Sequence, residues 1–321
     1  MMSRKLIVLS VLLLVQLGFA LGLGLNSQRL EAFTATEELL PFSAAELDQL
    51  VFSGADKAEM ILLKQEGNWT IPARFGAPAD GQKVAGLLQG LLDIRRPWPV
   101  SENGATDSRF KVADDNFETR LSFKQGEKTL GTLLIGGSPG FRKAYARVAG
   151  EKVVYAIPFS SYQASLKPED WLDKQQLQLD TKQIHRIELP SVRLARQGEQ
   201  LQLVGLSDKE QTDSQKVAEL AGKLANLKIL DVVAKSEQTA PSPVELSFNL
   251  TLQGGKVRNY QLFKGDKKGD LLLQVADRPY LYKVGSGLKA ELLSYTRKQL
   301  VKKVEADEPA PNKGSTAPAA G

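Results

Sequence analysis

The segment most similar to a phosphate-binding loop is residues 135–143, which read Ile-Gly-Gly-Ser-Pro-Gly-Phe-Arg-Lys. A P-loop needs a lysine and then a serine or threonine directly after its last glycine, and it leads into a helix. In this segment Phe141 follows the last glycine, and the next residues have the pattern of a strand. We therefore predict a hairpin turn here and no nucleotide site.

Metal-binding and acid–base residues are scarce. The chain contains no cysteine and a single histidine, His185, which excludes thiolate and multi-histidine metal sites. Residues 265–270 look like a calcium loop, but they lack the ligand spacing and the final glutamate, and two lysines would repel the ion. His185 lies in a predicted strand, where we favour a solvent-facing side chain over a general base.

Two pairs of carboxylates are adjacent in sequence. Asp114 is followed by Asp115, and Glu169 is followed by Asp170, so each pair would point to opposite sides of an extended backbone. We interpret both pairs as loop and capping residues rather than as a general acid and base. The sequence therefore predicts no catalytic, cofactor-binding or metal-binding residue, and we expect the chain not to be an enzyme.

Positive charge is in slight excess and thinly spread. The 42 Lys and Arg residues exceed the 37 Asp and Glu residues, which gives a net charge of +5. Basic patches occur at residues 95–96 and 297–303, but a nucleic-acid-binding surface is usually denser and interleaved with aromatic residues. We predict no nucleic-acid partner. We interpret the 297–303 patch as a solvated helix face, with contact to anionic lipid or a partner as the alternative.

The N-terminal region predicts export and attachment to a membrane. Arg4 and Lys5 precede residues 6–25, a run without charge that would span about 30 Å as a helix. The two basic residues should keep the N-terminus cytoplasmic. Residues 1–30 are therefore predicted to be a single-pass signal anchor in the inner membrane, with the rest of the chain in the periplasm. A cleaved signal peptide is the alternative, because residues 18–20 read Gly-Phe-Ala.

One stretch of sequence occurs twice. Residues 80–95 and residues 213–228 are identical at seven of sixteen positions. Both have apolar residues at the i, i+3, i+4, i+7 spacing of an amphipathic helix. The apolar positions are Val84, Leu87, Leu88 and Leu91 in one copy, and Val217, Leu220, Ala221 and Leu224 in the other. Asp80 and Asp213 stand where a carboxylate would cap each helix, so we interpret them as N-caps rather than catalytic groups.

Strand-like segments flank both helices, and they predict the fold class. We expect an α+β fold with two tandem similar units, each a mainly antiparallel sheet covered by a helix, after the N-terminal transmembrane helix. The predicted strands are residues 47–52, 60–64, 68–71, 117–123, 129–135, 144–148 and 153–157, then 184–189, 192–196, 199–204, 244–252, 257–263, 271–275 and 280–284.

These segments set the predicted domain boundaries. The first α+β unit is expected over residues 31–165 and the second over residues 166–304, where a last helix covers residues 288–304. Between the units, Pro168 can open a short helical turn and Trp171 can pack on a core. Residues 305–321 are rich in Pro, Ala, Gly and Ser, which predicts a disordered tail.

Several short motifs recur along the first half of the chain and just beyond it. They are Leu39-Leu40-Pro41, Gly67-Asn68-Trp69 and Ala79-Asp80 at the head of a leucine-rich helix, followed by Tyr145-Ala146-Arg147, Val153-Val154-Tyr155 and Trp171-Leu172-Asp173-Lys174. In these motifs the chain resembles the DUF4340 family of bacterial exported proteins. Proteins of this family are often encoded beside an ABC-2 type exporter. The resemblance implies no catalytic residues.

The expected function therefore combines the anchor, the doubled unit and this resemblance. We expect a non-enzymatic, membrane-anchored periplasmic accessory protein associated with an ABC-2 type export system, whose membrane contact is through residues 6–25. The alternative is a periplasmic binding module for envelope polysaccharide or lipid. Trp69, Trp98 and Trp171 support that alternative, although core packing explains a tryptophan equally well.

Overall fold

The structure is a computed structural model that describes residues 37–236, 243–267 and 269–303, together with Leu13, Val15 and Gln16. Apart from those three residues, the predicted membrane segment at 6–25 lies outside the described part of the chain, as does the predicted tail at 305–321. Among the described residues, no helix has the length and apolar character needed to cross a membrane.

Residue contacts divide the chain into two compact units. The first takes in the described residues up to Thr70 and Gly81–Trp171, and the second takes in Ile71–Asp80 and the described residues from Leu172 onward. The second unit therefore contains a short segment from the first half of the chain, and the division falls at Trp171 rather than at residue 165.

The first unit contains a sheet and a long helix. Its elements are β1 (Gln49–Gly54), β2 (Glu59–Gln65), β3 (Asn68–Ile71), α1 (Gly81–Leu92), β5 (Pro99–Ser101), α2 (Asp107–Phe110), β6 (Thr119–Gln125), β7 (Lys128–Ile135), β8 (Ala144–Val148) and β9 (Val154–Ile157). These strands follow the order β3-β2-β1-β6-β7-β8-β9-β5.

The second unit has the same kinds of element. They are β4 (Ala77–Pro78), β10 (Ile184–Leu189), β11 (Val192–Gln197), β12 (Gln200–Leu203), β13 (Glu210–Thr212), α3 (Ser214–Ala225), β14 (Ile229–Lys235), β15 (Val244–Leu252), β16 (Val257–Lys264), β17 (Leu271–Val275), β18 (Tyr280–Val284), α4 (Leu288–Ser294), α5 (Arg297–Leu300) and β19 (Val301–Lys303). Its main sheet follows the order β12-β11-β10-β15-β16-β17-β18-β14.

The eight strands from β3 to β5 in the first order correspond to the eight strands from β12 to β14 in the second. In each sheet a three-stranded meander is joined to a four-stranded meander through its first strand, and the strand that follows the long helix closes the far edge. The strand pairs along both sheets are antiparallel. The described chain is therefore built mostly of antiparallel sheets with few helices, which agrees with the predicted sheet-rich units.

The apolar faces of both long helices are confirmed. Val84, Leu87, Leu88 and Leu91 of α1 are buried, as are the four predicted positions of α3. In the second unit α3 packs on β10 and β12. Burying such a row of side chains is what holds a helix of this length in place, since its intrinsic propensity alone is marginal.

The predicted helix over residues 288–304 is wrong. The helix α4 ends at Ser294, because Tyr295 and Thr296 have extended backbone angles, with ψ of 98° and 159°. After the single turn of α5, the chain becomes strand β19 and pairs with β13. This long-range pairing, in which Val301 lies opposite Thr212, outweighs the local helical pattern.

Candidate functional site

A groove of about 740 Å³ lies in the first unit between α1 and the β2–β3 hairpin. Its size is within the usual range of small-ligand and peptide sites. We call it the first groove, and it is lined by Phe42, Lys64, Trp69, Ala85, Leu88 and Leu92, among others.

The hairpin positions the aromatic wall of the first groove. Its two-residue turn has positive φ at Glu66 (49°) and Gly67 (84°), the combination of a type I′ turn. This turn sets a register in which Lys64 pairs with Trp69. The Lys64 Nζ lies 6.0 Å from the centre of the Trp69 ring, at the outer limit of a cation–π contact.

The opposite wall of the first groove is a mixed face of α1. Leu88 is 4% exposed and belongs to the core, whereas Ala85 and Gln89 are exposed. At the rim, Glu38 accepts a hydrogen bond of 2.8 Å from Arg95. The groove thus combines an apolar floor with a polar rim, as binding sites commonly do.

A smaller groove of about 340 Å³ lies at the matching place in the second unit, between α3 and the β11–β12 hairpin. In this second groove Arg196 and Leu201 pair across the hairpin, as Lys64 and Trp69 do in the first. Arg196 donates to the backbone carbonyls of Ile184 (2.9 Å), Glu199 (2.7 Å) and Thr181 (2.7 Å). Its charged head is therefore used to hold the fold together.

The glycine-rich segment at 135–143 is a turn, as predicted. It connects β7 to β8, and the Ser138 hydroxyl donates to the carbonyls of Gly140 (2.6 Å) and Lys143 (2.8 Å). A side chain at Gly136 would overlap the backbone oxygen of Phe110, so this glycine permits close packing on α2. Residues 265–270 likewise connect β16 to β17, although Lys268 lies outside the described residues.

The predicted acid–base candidates are dispersed. His185 is exposed on β10. Asp114 accepts a bond of 3.0 Å from Arg147, and Asp170 accepts one of 2.6 Å from Ser165. Over the described ranges, no group of three or more His, Asp or Glu side chains is placed to hold a metal ion.

The three tryptophans occupy different environments. Trp171 is fully buried, its ring centre is 5.0 Å from that of Phe52, and its indole N–H donates to Ser165 O at 2.8 Å. This confirms the predicted packing after Pro168. Trp69 is 9% exposed, and Trp98 is 72% exposed just before the edge strand β5.

The basic patch at 297–303 does not form one helix face. Arg297 lies on α5 and donates to Gly205 O and to Glu210, both at 2.7 Å, whereas Lys302 lies on β19 and contacts Asp213 at 3.4 Å. Arg96, in the other predicted patch, bonds both carboxylate oxygens of Glu151 at 2.8 Å. These pairings reduce the charge available to an anionic partner.

Residues 69–247 match a family model described as a domain of unknown function, DUF4340. The chain belongs to the DUF4340 family. No curated protein and no solved structure shows significant similarity to it. The DUF4340 match begins at Trp69 and includes α1 and the whole of α3, so it spans parts of both units rather than one copy of the doubled stretch.

The second unit of this DUF4340 protein also contains a buried polar cluster that is not among the residues predicted from the sequence. Arg258 is 6% exposed and donates to Asp277 at 3.1 and 3.0 Å, and the neighbouring Tyr260 is fully buried. One signal was present in the sequence, because Arg258 alternates with Tyr260 and Leu262 on the apolar face of β16. An arginine in that alternation is rare unless it is paired.

Proposed function

We propose that this DUF4340 protein is a non-enzymatic, membrane-anchored accessory protein of the bacterial cell envelope that binds a protein partner through the first groove. Residues 6–25 would anchor it in the inner membrane by a single pass, with the two units in the periplasm. The corresponding strand orders support a tandem duplication of one α+β unit, each with a helix over its sheet.

The observation that carries the proposal is the difference between the two grooves. The first is about 740 Å³ and carries Trp69 where the second, at about 340 Å³, carries Leu201. A large aromatic side chain in a partly apolar groove is the usual anchor for a peptide segment. We propose an apolar segment of an ABC-2 type exporter subunit as the occupant, which follows from the family resemblance.

A pair of matched variants tests this function. Ala85 of α1 and Ala218 of α3 are both exposed, and each lines its groove at the same position of its helix. Ala85→Arg should fill the first groove without disturbing the core, whereas Ala218→Arg changes only the second groove. Tagged full-length chains would be captured from detergent-solubilised membranes at native abundance, and co-purifying subunits would be quantified by mass spectrometry.

We expect exporter subunits to be recovered with the unaltered chain and with Ala218→Arg, and recovery to fall at least about tenfold with Ala85→Arg. Equal recovery of exporter subunits with both variants would overturn the proposal. Capture of the unaltered chain with no exporter subunit bound to it would also overturn it. Recovery of polysaccharide or lipid in place of protein would support the second candidate function, a binding module for envelope polysaccharide or lipid. The exposed ring of Trp98 favours that candidate.

A further inference from the structure

Two tyrosines align the edge strands that follow the long helices. Tyr155 of β9 pairs with the third residue of β8, Ala146. Tyr282 of β18 pairs with the third residue of β17, Leu273. The two tyrosines therefore occupy matching places in the two units, and whatever pairs with them on the other side also matches.

The residues on that other side belong to the edge strands β5 and β14. Pro99 of β5 pairs with the first of these tyrosines, and Val232 of β14 pairs with the second. The residues directly before them, Trp98 and Asp231, therefore correspond. The doubled stretches of sequence, extended along the chain, give the same alignment, because they place residue 98 at residue 231.

In the second unit this position of the edge strand is covered. The short 3-10 helix Pro72–Arg74 contacts β14, and Arg74 donates to the Asp231 carboxylate at 2.5 Å. These two side chains are only 23% and 21% exposed. Close by, the Tyr280 hydroxyl donates to the Gly76 carbonyl at 3.1 Å. The segment Ile71–Asp80, which belongs to the second unit, thus covers the strand.

In the first unit the matching position is an exposed aromatic residue. Trp98 is 72% exposed, and Val100, two residues further along β5, is 43% exposed. Pro97 and Pro99 flank the tryptophan and fix two of the backbone angles around it, so little conformational freedom is left to lose on binding. A preorganised, exposed tryptophan is the usual anchor of a protein–protein interface.

The second unit also contains a counterpart of the covering segment. Residues 204–213 lead from β12 into α3, as Ile71–Asp80 leads from β3 into α1. Residues 207–210 of this counterpart line a groove of about 1120 Å³, together with residues of α5 and β19. We call it the third groove. Its volume is more than one indole ring needs, so the residues beside the ring can enter with it.

The charge of the third groove suits an indole ring. Lys209, Lys298 and Lys303 line it, and none of the three makes an ion pair with any residue that the structure describes. Val301 adds an apolar side chain. Ammonium groups are attracted to the face of a tryptophan ring, which carries partial negative charge. The groove therefore offers both apolar contact and cation–π contact.

We propose that the third groove of one chain binds strand β5 of a second copy of the chain, with Trp98 as the anchor. Residues 207–210 then cover β5 between chains, as Ile71–Asp80 covers β14 within one. The contact is head-to-tail, because the groove lies in the second unit and β5 in the first. Such contacts build closed rings or open chains of subunits. The assembly does not involve the first groove and is independent of the partner proposed for it.

The test measures the mass of the full-length, detergent-solubilised chain by light scattering over about 1–100 μM. We expect the protein mass to rise above that of one chain as the concentration increases. Trp98→Lys removes the anchor and should weaken association at least about tenfold. Lys298→Glu places an anion where the ring face would bind, which the ring repels, and should weaken association similarly.

Mixing these two variants tests the head-to-tail geometry. Trp98→Lys keeps an intact third groove, and Lys298→Glu keeps an intact β5, so the two variants can make one contact together. We expect each variant alone to remain a single chain and the mixture to form pairs of one copy of each and nothing larger. A symmetric contact between two Trp98 side chains would not be restored by mixing, and this result would overturn the proposal.

Two controls separate this contact from other effects. Phe141→Lys removes an aromatic residue that is 87% exposed elsewhere in the first unit, and Ala85→Arg fills the first groove. Both should associate as the unaltered chain does, so failure of this proposal is distinguishable from failure of the proposed function. A single chain at every concentration, or an equal loss of association in Phe141→Lys and Trp98→Lys, would overturn the proposal.

Discussion

The polar clusters around Tyr155 in the first unit and around Tyr282 in the second occupy matching places in two sheets of the same strand order. Around Tyr155, Arg96 bonds both the hydroxyl and the Glu151 carboxylate. Near Tyr282, whose hydroxyl donates to Gln176 at 3.5 Å, the buried Arg258 donates to Asp277.

The residues that differ explain this contrast. Tyr260 pairs with Val275, the last residue of β17, and at the same place in the first unit Leu133 pairs with Val148, the last residue of β8. Arg258 lies two residues before Tyr260 on β16, and Gly131 lies two residues before Leu133 on β7, so Arg258 and Gly131 correspond. The cross-strand pairing at this place is therefore shared between the units, whereas the residue two positions earlier is an arginine in one and a glycine in the other.

The connection between β7 and β8 should show the largest effect of a single substitution. Gly136→Ala would place a methyl group against the backbone oxygens of Phe110 and Lys111, which cannot rotate away as a side chain can. We expect the first unit to lose about 3 kcal/mol or more of unfolding free energy. The three tryptophans all lie in that unit, so urea unfolding followed by tryptophan fluorescence reports on it.

Gly140→Ala is the control for this substitution, because a Cβ at Gly140 meets nothing within 4 Å. It should leave the fluorescence transition nearly unchanged. Equal transitions for the two variants would show that the loop can move away from α2, and the first unit would then be less tightly packed than described.

The Arg258–Asp277 and Arg96–Glu151 ion pairs should contribute different amounts to the free energy of unfolding. The Arg258 side chain is 7% exposed, so Asp277→Asn leaves a buried cation without its carboxylate. This substitution should lower the free energy of unfolding by about 2 kcal/mol. Arg96 and Glu151 are 23% and 31% exposed, and Glu37 remains 3.4 Å from Arg96, so Glu151→Gln should cost only about 1 kcal/mol. Hydrogen exchange of β16–β18 and of β8–β9 measures each loss locally.

A larger loss for Glu151→Gln than for Asp277→Asn would reverse the comparison. It would mean that the cluster around Tyr155, rather than the one around Tyr282, depends more on its carboxylate.

Much of the fold could be predicted because it follows from local patterns. The alternation of apolar residues defines strands such as Ile184–Leu189 and Ala144–Val148, and the helical spacing defines the buried faces of α1 and α3. The short strands β5, β13 and β19 were missed because two or three residues carry no periodicity, and each depends on a distant partner.

The candidate sites depend on register, which the sequence does not display. The pairing of Arg258 with Asp277 requires the β16–β17 register, and the first groove requires α1 to lie beside the β2–β3 hairpin. The doubled sequence did indicate that the two long helices are equivalent. That Trp69 and Leu201 occupy equivalent positions is recognised only when the two hairpins are aligned through their cross-strand pairs.

The smallest expected effect concerns the cap of α3. Burial raises the pKa of Asp213, but the bond from the Lys216 N–H and the nearby Lys302 ammonium lower it by more, so its pKa lies below the usual value. A carboxyl whose pKa is lowered by folding stabilises the protein above its unfolded pKa, and this contribution is lost as the pH falls through the folded pKa. Asp213→Asn should therefore lower Tm at neutral pH by a few degrees at most, and the gap from the unaltered chain should close as the pH falls below about 4.

Lys302→Met tests the cause of this pH dependence. It removes one of the groups that lower the Asp213 pKa and keeps the carboxylate itself, so the loss of stability with acid should be smaller than in the unaltered chain and should be complete at a higher pH. Thermal unfolding from pH 7 down to about pH 3 measures both variants. If the Tm of Asp213→Asn runs parallel to that of the unaltered chain over this range, the charge of Asp213 adds nothing to its role as an N-cap, and the helix start in the second unit is held by hydrogen bonding alone.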